Sequence, residues 1–278
     1  MILSAPAKLN LCLYLGGRRA DGLHELCSIF EPLELADRVE IRTGAEADEV
    51  ICGGVEGPNL AAAALTALRA LGWAGPPVRV EIEKRIPVAG GLGGGSADAA
   101  AVLRLAEGMP KAGLEKVAAS LGADVPSQLE PRPLLVGGAG ERLEPIPAPG
   151  AHGIVLMPLA PGLSAAEVYA EADRLGALRS AAELAAIEEQ LREATAGADS
   201  PLAYAELVVN DLQPAALSLR PSIAESLDAL RGAGAAISMV GGSGPTAFGL
   251  FENAAGAERA AAGLTGAIAT APASESVA

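Results

Sequence analysis

The run Pro87-Val-Ala-Gly-Gly-Leu-Gly-Gly-Gly-Ser-Ala-Asp-Ala-Ala-Ala101 has the residue types of an anion site. It follows an alternating segment, Val78-Arg-Val-Glu-Ile-Glu83, and leads into an Ala/Leu-rich run through Leu105. Strand, glycine loop and helix in that order present the unpaired N–H groups of a helix start to a phosphate, and glycines keep Cβ atoms out of its path. Pro87, Gly90, Gly91, Leu92, Gly93, Gly94, Gly95, Ser96 and Ala97 make up this cradle. Ser96 stands where an N-cap hydroxyl, or a ligand to phosphate-bound Mg²⁺, is expected. Asp98 falls in the expected first turn, where its charge suits the helix dipole. No Gly-Lys-Ser/Thr closes the loop, so it is not a P-loop, and Gly91-x-Gly93-x-x-Ser96 misses the third glycine of a dinucleotide fingerprint. The plainer alternative is a flexible turn capped by Ser96.

Two charged side chains stand out against apolar surroundings. Lys8 precedes the alternating Leu9, Leu11 and Leu13, an unnatural place for an ordinary solvated lysine. Asp124 sits in Gly122-Ala-Asp-Val-Pro126, just past a helical run, either as a turn carboxylate or as a reacting group. Asn10, two residues from Lys8, shares its strand face; it either bonds a ligand or satisfies backbone.

The elements that must position these groups follow from the pattern. Leu9–Leu15 and Asp37–Arg42 read as strands around the Arg18–Asp21 turn, and Asn59–Leu71 as an amphipathic helix ending at Gly72. Asn59 is either its N-cap or a ligand contact. The strand, loop and helix then run from Val78 to about Glu107, followed by a helix at Leu114–Leu121. A strand at Ile154–Met157 and a charged helical region at Ala165–Glu193 come next, then a loop around Gly197–Pro201 and a helix at Ile223–Arg231. The last pattern is strand, glycine loop, strand, helix: Ala235–Val240, Gly241–Pro245, Thr246–Phe251 and Ala254–Leu264. This mixed order predicts an α+β architecture. Pro-rich Pro145–Gly150 marks the expected boundary between domains at 1–150 and 151–278, and the last dozen residues read as a frayed tail.

Composition excludes several classes. The chain has 278 residues, half of them hydrophobic and 19% charged, which describes a globular protein with ample core. Its net charge of −14 provides no basic face for nucleic acid. Three cysteines without a C-x-x-C pair predict buried, inert thiols in a reducing cytoplasm, and the two histidines fit no metal spacing. No signal peptide is read at the start, and the uncharged stretches Pro145–Ala166 and Gly232–Phe251 are too broken by Pro and Gly to span a membrane. A cytoplasmic monomer or weak homodimer is expected.

Three segments together resemble the motifs of the GHMP small-molecule kinases: Ala5-Pro-Ala-Lys-Leu-Asn-Leu-Cys-Leu-Tyr14 with Gly17–Leu26, the central glycine loop, and Met239-Val-Gly-Gly-Ser-Gly-Pro-Thr-Ala-Phe248. Gly122–Pro126 and Asn210-Asp-Leu-Gln-Pro214 extend the match over most of the chain. The resemblance implies an N-terminal domain like the second domain of ribosomal protein S5 and a ferredoxin-like C-terminal domain. It also implies ATP with Mg²⁺ as phosphoryl donor, and a cytidine-diphospho sugar alcohol as acceptor.

In this reading Asp124 accepts the acceptor's hydroxyl proton while Lys8 offsets charge on the transferring group. Asn10 bonds acceptor hydroxyls, His24 reads the cytosine edge, and Tyr169 resembles an aromatic wall for the base. Asn59 contacts adenine, and Ser243 and Gly244 close over the acceptor's phosphates. For Tyr169 a plain core position, and for the Ser243 loop a plain hairpin turn, stay open. The chain departs from the family at Leu23, where an aromatic ring usually precedes the histidine. Another acceptor, such as homoserine or mevalonate, and a catalytically silent nucleotide-binding relative are the competing readings.

Overall fold

A computed structural model describes residues 1–55, 57–106, 108–176 and 178–273. Two long strands form its spine. β1 (Ile2–Arg18) runs antiparallel to β2 (His24–Thr43), with register shifts between Pro6 and Lys8 and between Asn10 and Cys12. Such irregularities bend a strand and re-aim its side chains; here they bracket the segment that carries Lys8 and Asn10. β3 (Glu49–Cys52), α1 (Leu60–Ala70) and β4 (Val78–Glu83) make a parallel crossover, with α1 burying Ala61, Ala64, Leu65 and Leu68 at helical spacing. α2 (Gly94–Leu103) and α3 (Lys111–Leu121) follow, then β5 (Leu134–Gly137) and β6 (Arg142–Pro145). The sheet order is β3-β4-β2-β5-β6, with β1 also on β2.

α2 is buried from Ala97 through Leu103. A helix enclosed on all sides needs small residues, which accounts for its alanines. It packs with α1, Val39, Ile41 and Val80 in one apolar cluster.

The second sheet opens at β7 (Gly153–Met157). After it come α4 (Ala165–Leu175), α5 (Ala181–Thr195), α6 (Gln213–Leu219) and α7 (Ile223–Gly232). β8 (Ile237–Val240), β9 (Ala247–Phe251), α8 (Ala254–Ala262) and β10 (Ile268–Thr270) complete it. Its four strands are antiparallel in the order β10-β7-β9-β8. That order, with helices after the first and third strands, is a ferredoxin-like arrangement. The α+β class holds, with both halves as expected.

Four expectations are corrected. The helix after the glycine loop starts at Gly94 behind Gly93 and ends at Leu103, short of Glu107, which lies outside the described residues. Ser96 is therefore inside the first turn, and no side chain caps this helix. The region Ala165–Glu193 is two helices, because Gly176 adopts φ +73° and ends α4 while Ser180 caps α5 with a capping box to Glu183. The expected frayed tail is ordered over Ile268–Thr270, which pair with β7; residues 274–278 lie outside the described residues. Of the three cysteines expected to be buried, Cys12 and Cys27 are, and burial pushes both thiols up, whereas Cys52 is only half-buried.

Candidate active site

β1 supplies the two buried polar groups at the centre of the molecule. Lys8 Nζ donates to Asn10 Oδ1 at 2.8 Å and lies 3.4 Å from Asp124 Oδ2. The ammonium also sits over the Phe30 ring, 4.1 Å from its centroid. Asn10 Nδ2 donates to Ser28 Oγ, whose hydroxyl donates in turn to the Cys12 carbonyl. Every polar atom in this relay has a partner, so Lys8 is held in one pose. Asp124 arrives from the turn after α3, where Ser127 Oγ donates to its backbone carbonyl. Residues 116 positions apart are thus brought into contact.

The glycine loop abuts the same strand. Lys8 N–H donates to the Leu92 carbonyl at 2.9 Å, and a Cβ on Gly93 (φ +70°) would meet Lys8 Cγ at 2.9 Å. The first intrahelical bond of α2 runs from Ala97 N–H to the Gly93 carbonyl, so the N–H groups of Gly94, Gly95 and Ser96 precede it. Those amides and Ser96 line a cleft of about 320 Å³ with Pro58, Asn59, Lys84 and Asp98. Asn59 caps α1, accepting from Ala61 N–H at 2.8 Å and Ala62 N–H at 3.3 Å, and also lines the cleft. Its two readings are compatible.

The second glycine loop, Gly241–Pro245, closes on the first. A Cβ on Gly91 would meet the Gly244 carbonyl oxygen at 2.8 Å, and one on Gly242 would meet Asn10 Oδ1 at 2.9 Å. Asn210 fixes this loop by donating to the carbonyls of Val240 and Gly242, both at 2.7 Å. Ser243 lies at the tip of the turn, beside Gly244.

His24, at the start of β2, is buried and stacks on Tyr169 of α4 with ring centroids 5.3 Å apart. Its Nε2 lies 2.7 Å from Asp173 Oδ1. Burial and the charge of Asp124 push the Tyr169 hydroxyl up to about 12. Leu23, the residue before His24, stays exposed.

The sequence reading passed over one cluster beneath the loop. Lys84 donates to Asp98 at 2.8 Å and to Asp37. Asp37 also accepts from the N–H groups of Arg85 and Ile86. Burial pushes the Asp98 carboxyl up to about 6 against the pull of Lys84, with Asp37 repelling. For Lys84, burial works downward, and the bonds to Asp37 and Asp98 outweigh it and raise the ammonium. Asp98 is the fifth residue of α2, buried and ion-paired, so the dipole reading is corrected. The missed signal is parity. Val78, Val80 and Ile82 are buried, and Lys84 continues that series; Asp37 does the same with Val39 and Ile41.

Basic and apolar groups around a glycine cradle, an acid beside a buried lysine, and a ferredoxin-like second half define a small-molecule kinase. The profile of the GHMP kinases N terminal domain matches residues 59–129 and that of the GHMP kinases C terminal matches residues 185–268, and the chain belongs to this family. Within it the chain falls among the 4-diphosphocytidyl-2-C-methyl-D-erythritol kinases. It is 40% identical to the one from Mesorhizobium japonicum, over 93% of this chain and 89% of that relative. It is 41% identical to the one from Streptomyces avermitilis, over 93% and 90%. A crystal structure of 4-(cytidine 5'-diphospho)-2C-methyl-D-erythritol kinase superposes with a TM-score of 0.80 at 34% identity, covering 99% of this chain and all of that one. Homoserine kinase from Cytophaga hutchinsonii shares the fold, with a TM-score of 0.72 at 16% identity.

Proposed function

We propose that the chain transfers the γ-phosphoryl group of ATP to the 2-hydroxyl of 4-diphosphocytidyl-2-C-methyl-D-erythritol, a step of non-mevalonate isoprenoid precursor biosynthesis. The contact between Lys8 and Asp124, beside the start of α2, is the observation that carries it. Asp124 accepts the proton of the acceptor hydroxyl as its oxygen bonds to the γ-phosphorus, and the bond to the β-phosphate bridge oxygen breaks to release ADP. The Lys8 ammonium, already desolvated against Phe30, offsets charge on the transferring group. The N–H groups of Gly94, Gly95 and Ser96 hold the phosphates in line, and Asn10 orients the acceptor hydroxyl.

The described residues contain no cluster of three acidic, His or Cys groups fit to hold a metal. Mg²⁺ would be held chiefly by the phosphates of ATP, with the Ser96 hydroxyl in the first turn of α2 as its protein contact, and would neutralise phosphate charge there. The base end of the acceptor is assigned to His24 and Tyr169, its phosphates to Ser243 and Gly244, and adenine to the Asn59 side of the cleft. Among the described residues no helix is long and apolar enough to cross a membrane. The proposal extends to a cytoplasmic enzyme working as a monomer or weak homodimer. The two sheets, ending at Pro145 and opening at Gly153, are assigned to separate domains meeting in the intervening segment.

A coupled assay of ADP release tests the reading, with 4-diphosphocytidyl-2-C-methyl-D-erythritol, homoserine and mevalonate offered separately. Turnover with the cytidine compound alone supports it. Turnover only with homoserine or mevalonate, or none with any acceptor, rejects it.

A further inference from the structure

His24 has two ring nitrogens, and the protein occupies only one. Nε2 meets Asp173 Oδ1 at 2.7 Å. Nδ1 has no hydrogen-bond partner among the described residues and is not among their fully enclosed unpaired atoms, which leaves it as the ring atom for a ligand. The Asp173 carboxylate is an acceptor only, so Nε2 must carry hydrogen, and in the neutral ring Nδ1 is then a bare acceptor. Tyr169 and Asp173 lie four residues apart on α4, on one helix face. One holds the ring by its face and the other by its edge. Asp173 has no other ion-pair partner among the described residues, so its geometry answers to His24 alone.

We infer that Asp173 is a positioning residue that sets which base the acceptor may carry. By locking the tautomer of His24 it presents an acceptor at Nδ1, which matches the exocyclic amino group of a cytosine and opposes the carbonyl a uracil carries at the same position. The inference rests on the proposed acceptor, and it adds the origin of the discrimination. Without Asp173 the imidazole can move its proton to Nδ1 and greet a carbonyl equally well. A ring that only packs against the base has no such preference, so the Tyr169 stack alone cannot account for base choice.

The test uses Asp173→Asn, whose amide can either accept from or donate to Nε2 and so releases the tautomer. Asp173 is on the exposed side of α4, with its side chain 35% accessible, and the change leaves the core intact. Steady-state kinetics are measured with the cytidine acceptor and its uridine analogue. The wild type is expected to favour cytidine by roughly tenfold or more, since a mismatched polar pair costs at least a factor of that order. In the variant that ratio falls about fivefold or more through acceptor KM, while kcat and the KM for ATP hold.

Long-range ¹H–¹⁵N spectra supply a readout independent of turnover. With only two histidines in the chain, His24 and His152 are separable, and His152 serves as internal reference. The wild type should show His24 protonated at Nε2 alone, and the variant should show Nδ1 gaining proton occupancy. An unchanged cytidine-to-uridine ratio in the variant, or a His24 tautomer identical in the two proteins, overturns the inference. Failure of the wild type to phosphorylate the cytidine compound would reject the proposed function instead, and the spectra would still decide the role of Asp173.

Discussion

Gly93 and Lys8 are so close that a single methyl group on the glycine would lie 2.9 Å from the lysine Cγ. The glycine loop and the Lys8 side chain therefore share one wall. Gly93→Ala is expected to lower both kcat and ATP affinity, because φ +70° is strained for alanine and the new Cβ displaces Lys8. Gly95→Ala is the contrast. Its Cβ would meet only Leu60 Cδ1 at 3.6 Å, so the fold and Lys8 are undisturbed, and any loss falls on ATP affinity alone. Calorimetric titration with a non-hydrolysable ATP analogue, alongside kcat, separates the two. Equal effects of both substitutions would contradict the shared wall.

Asp124→Asn should retain ATP binding and lose roughly 10²–10⁴-fold in kcat, the range set by removing a general base while keeping shape. Saturating-substrate turnover close to the wild type would remove Asp124 from the chemistry.

The Lys84 cluster predicts a pH effect on stability. With its pKa raised from 3.8 to about 6, Asp98 holds a proton in the folded chain that the unfolded chain has already released. Stability from this group therefore rises as pH falls from about 6 to 4, and is absent above that window. The contribution is of order 1–3 kcal/mol. Urea denaturation at pH 4.5 and pH 7, comparing the wild type with Asp98→Asn, isolates it. The difference between the two proteins should shift in favour of the wild type at the lower pH. A shift in the opposite sense would show Asp98 to be stabilised as a carboxylate.

Leu23→Tyr should restore a ring beside His24 and lower acceptor KM several-fold with little change in kcat, the pattern of uniform binding. A gained stack is worth roughly 0.5–1.5 kcal/mol. The measurement is acceptor KM at saturating ATP, and a fall in kcat as large as the fall in KM would mean that the ring obstructs release or closure.

Much of the site was legible because its signals are local. Lys8 and Asn10 share a face by strand parity, and the glycine loop sits between a clear strand and a clear helix. What escaped is physically different in kind. Ser96 looked like an N-cap because side-chain capping is the rule at helix starts, whereas here Gly93 opens α2 from a left-handed conformation three residues earlier. Lys84 and Asp37 carried a legible parity signal, but their meaning depends on each other and on Asp98, a meeting of three segments that no local pattern encodes. Ile268–Thr270 pair with β7 from more than a hundred residues away, so an unperiodic tail concealed a strand. Asp173 was unremarkable on a charged helix until its partner His24, 149 positions earlier, was seen against it.

β1 joins distant parts of the chain. Leu13 bonds the backbone of Val209 and Asp211, Lys8 bonds Leu92, and Asn10 lies against Gly242. During synthesis the residues at the heart of the site leave the ribosome first, and the loop that closes over them leaves among the last. Domains tend to fold as they emerge, from the N-terminus onward. A nascent chain can thus complete its nucleotide cradle while the wall behind Asn10 is still in the exit tunnel. The wall behind Asn10 is therefore the last part of this region to take shape during synthesis.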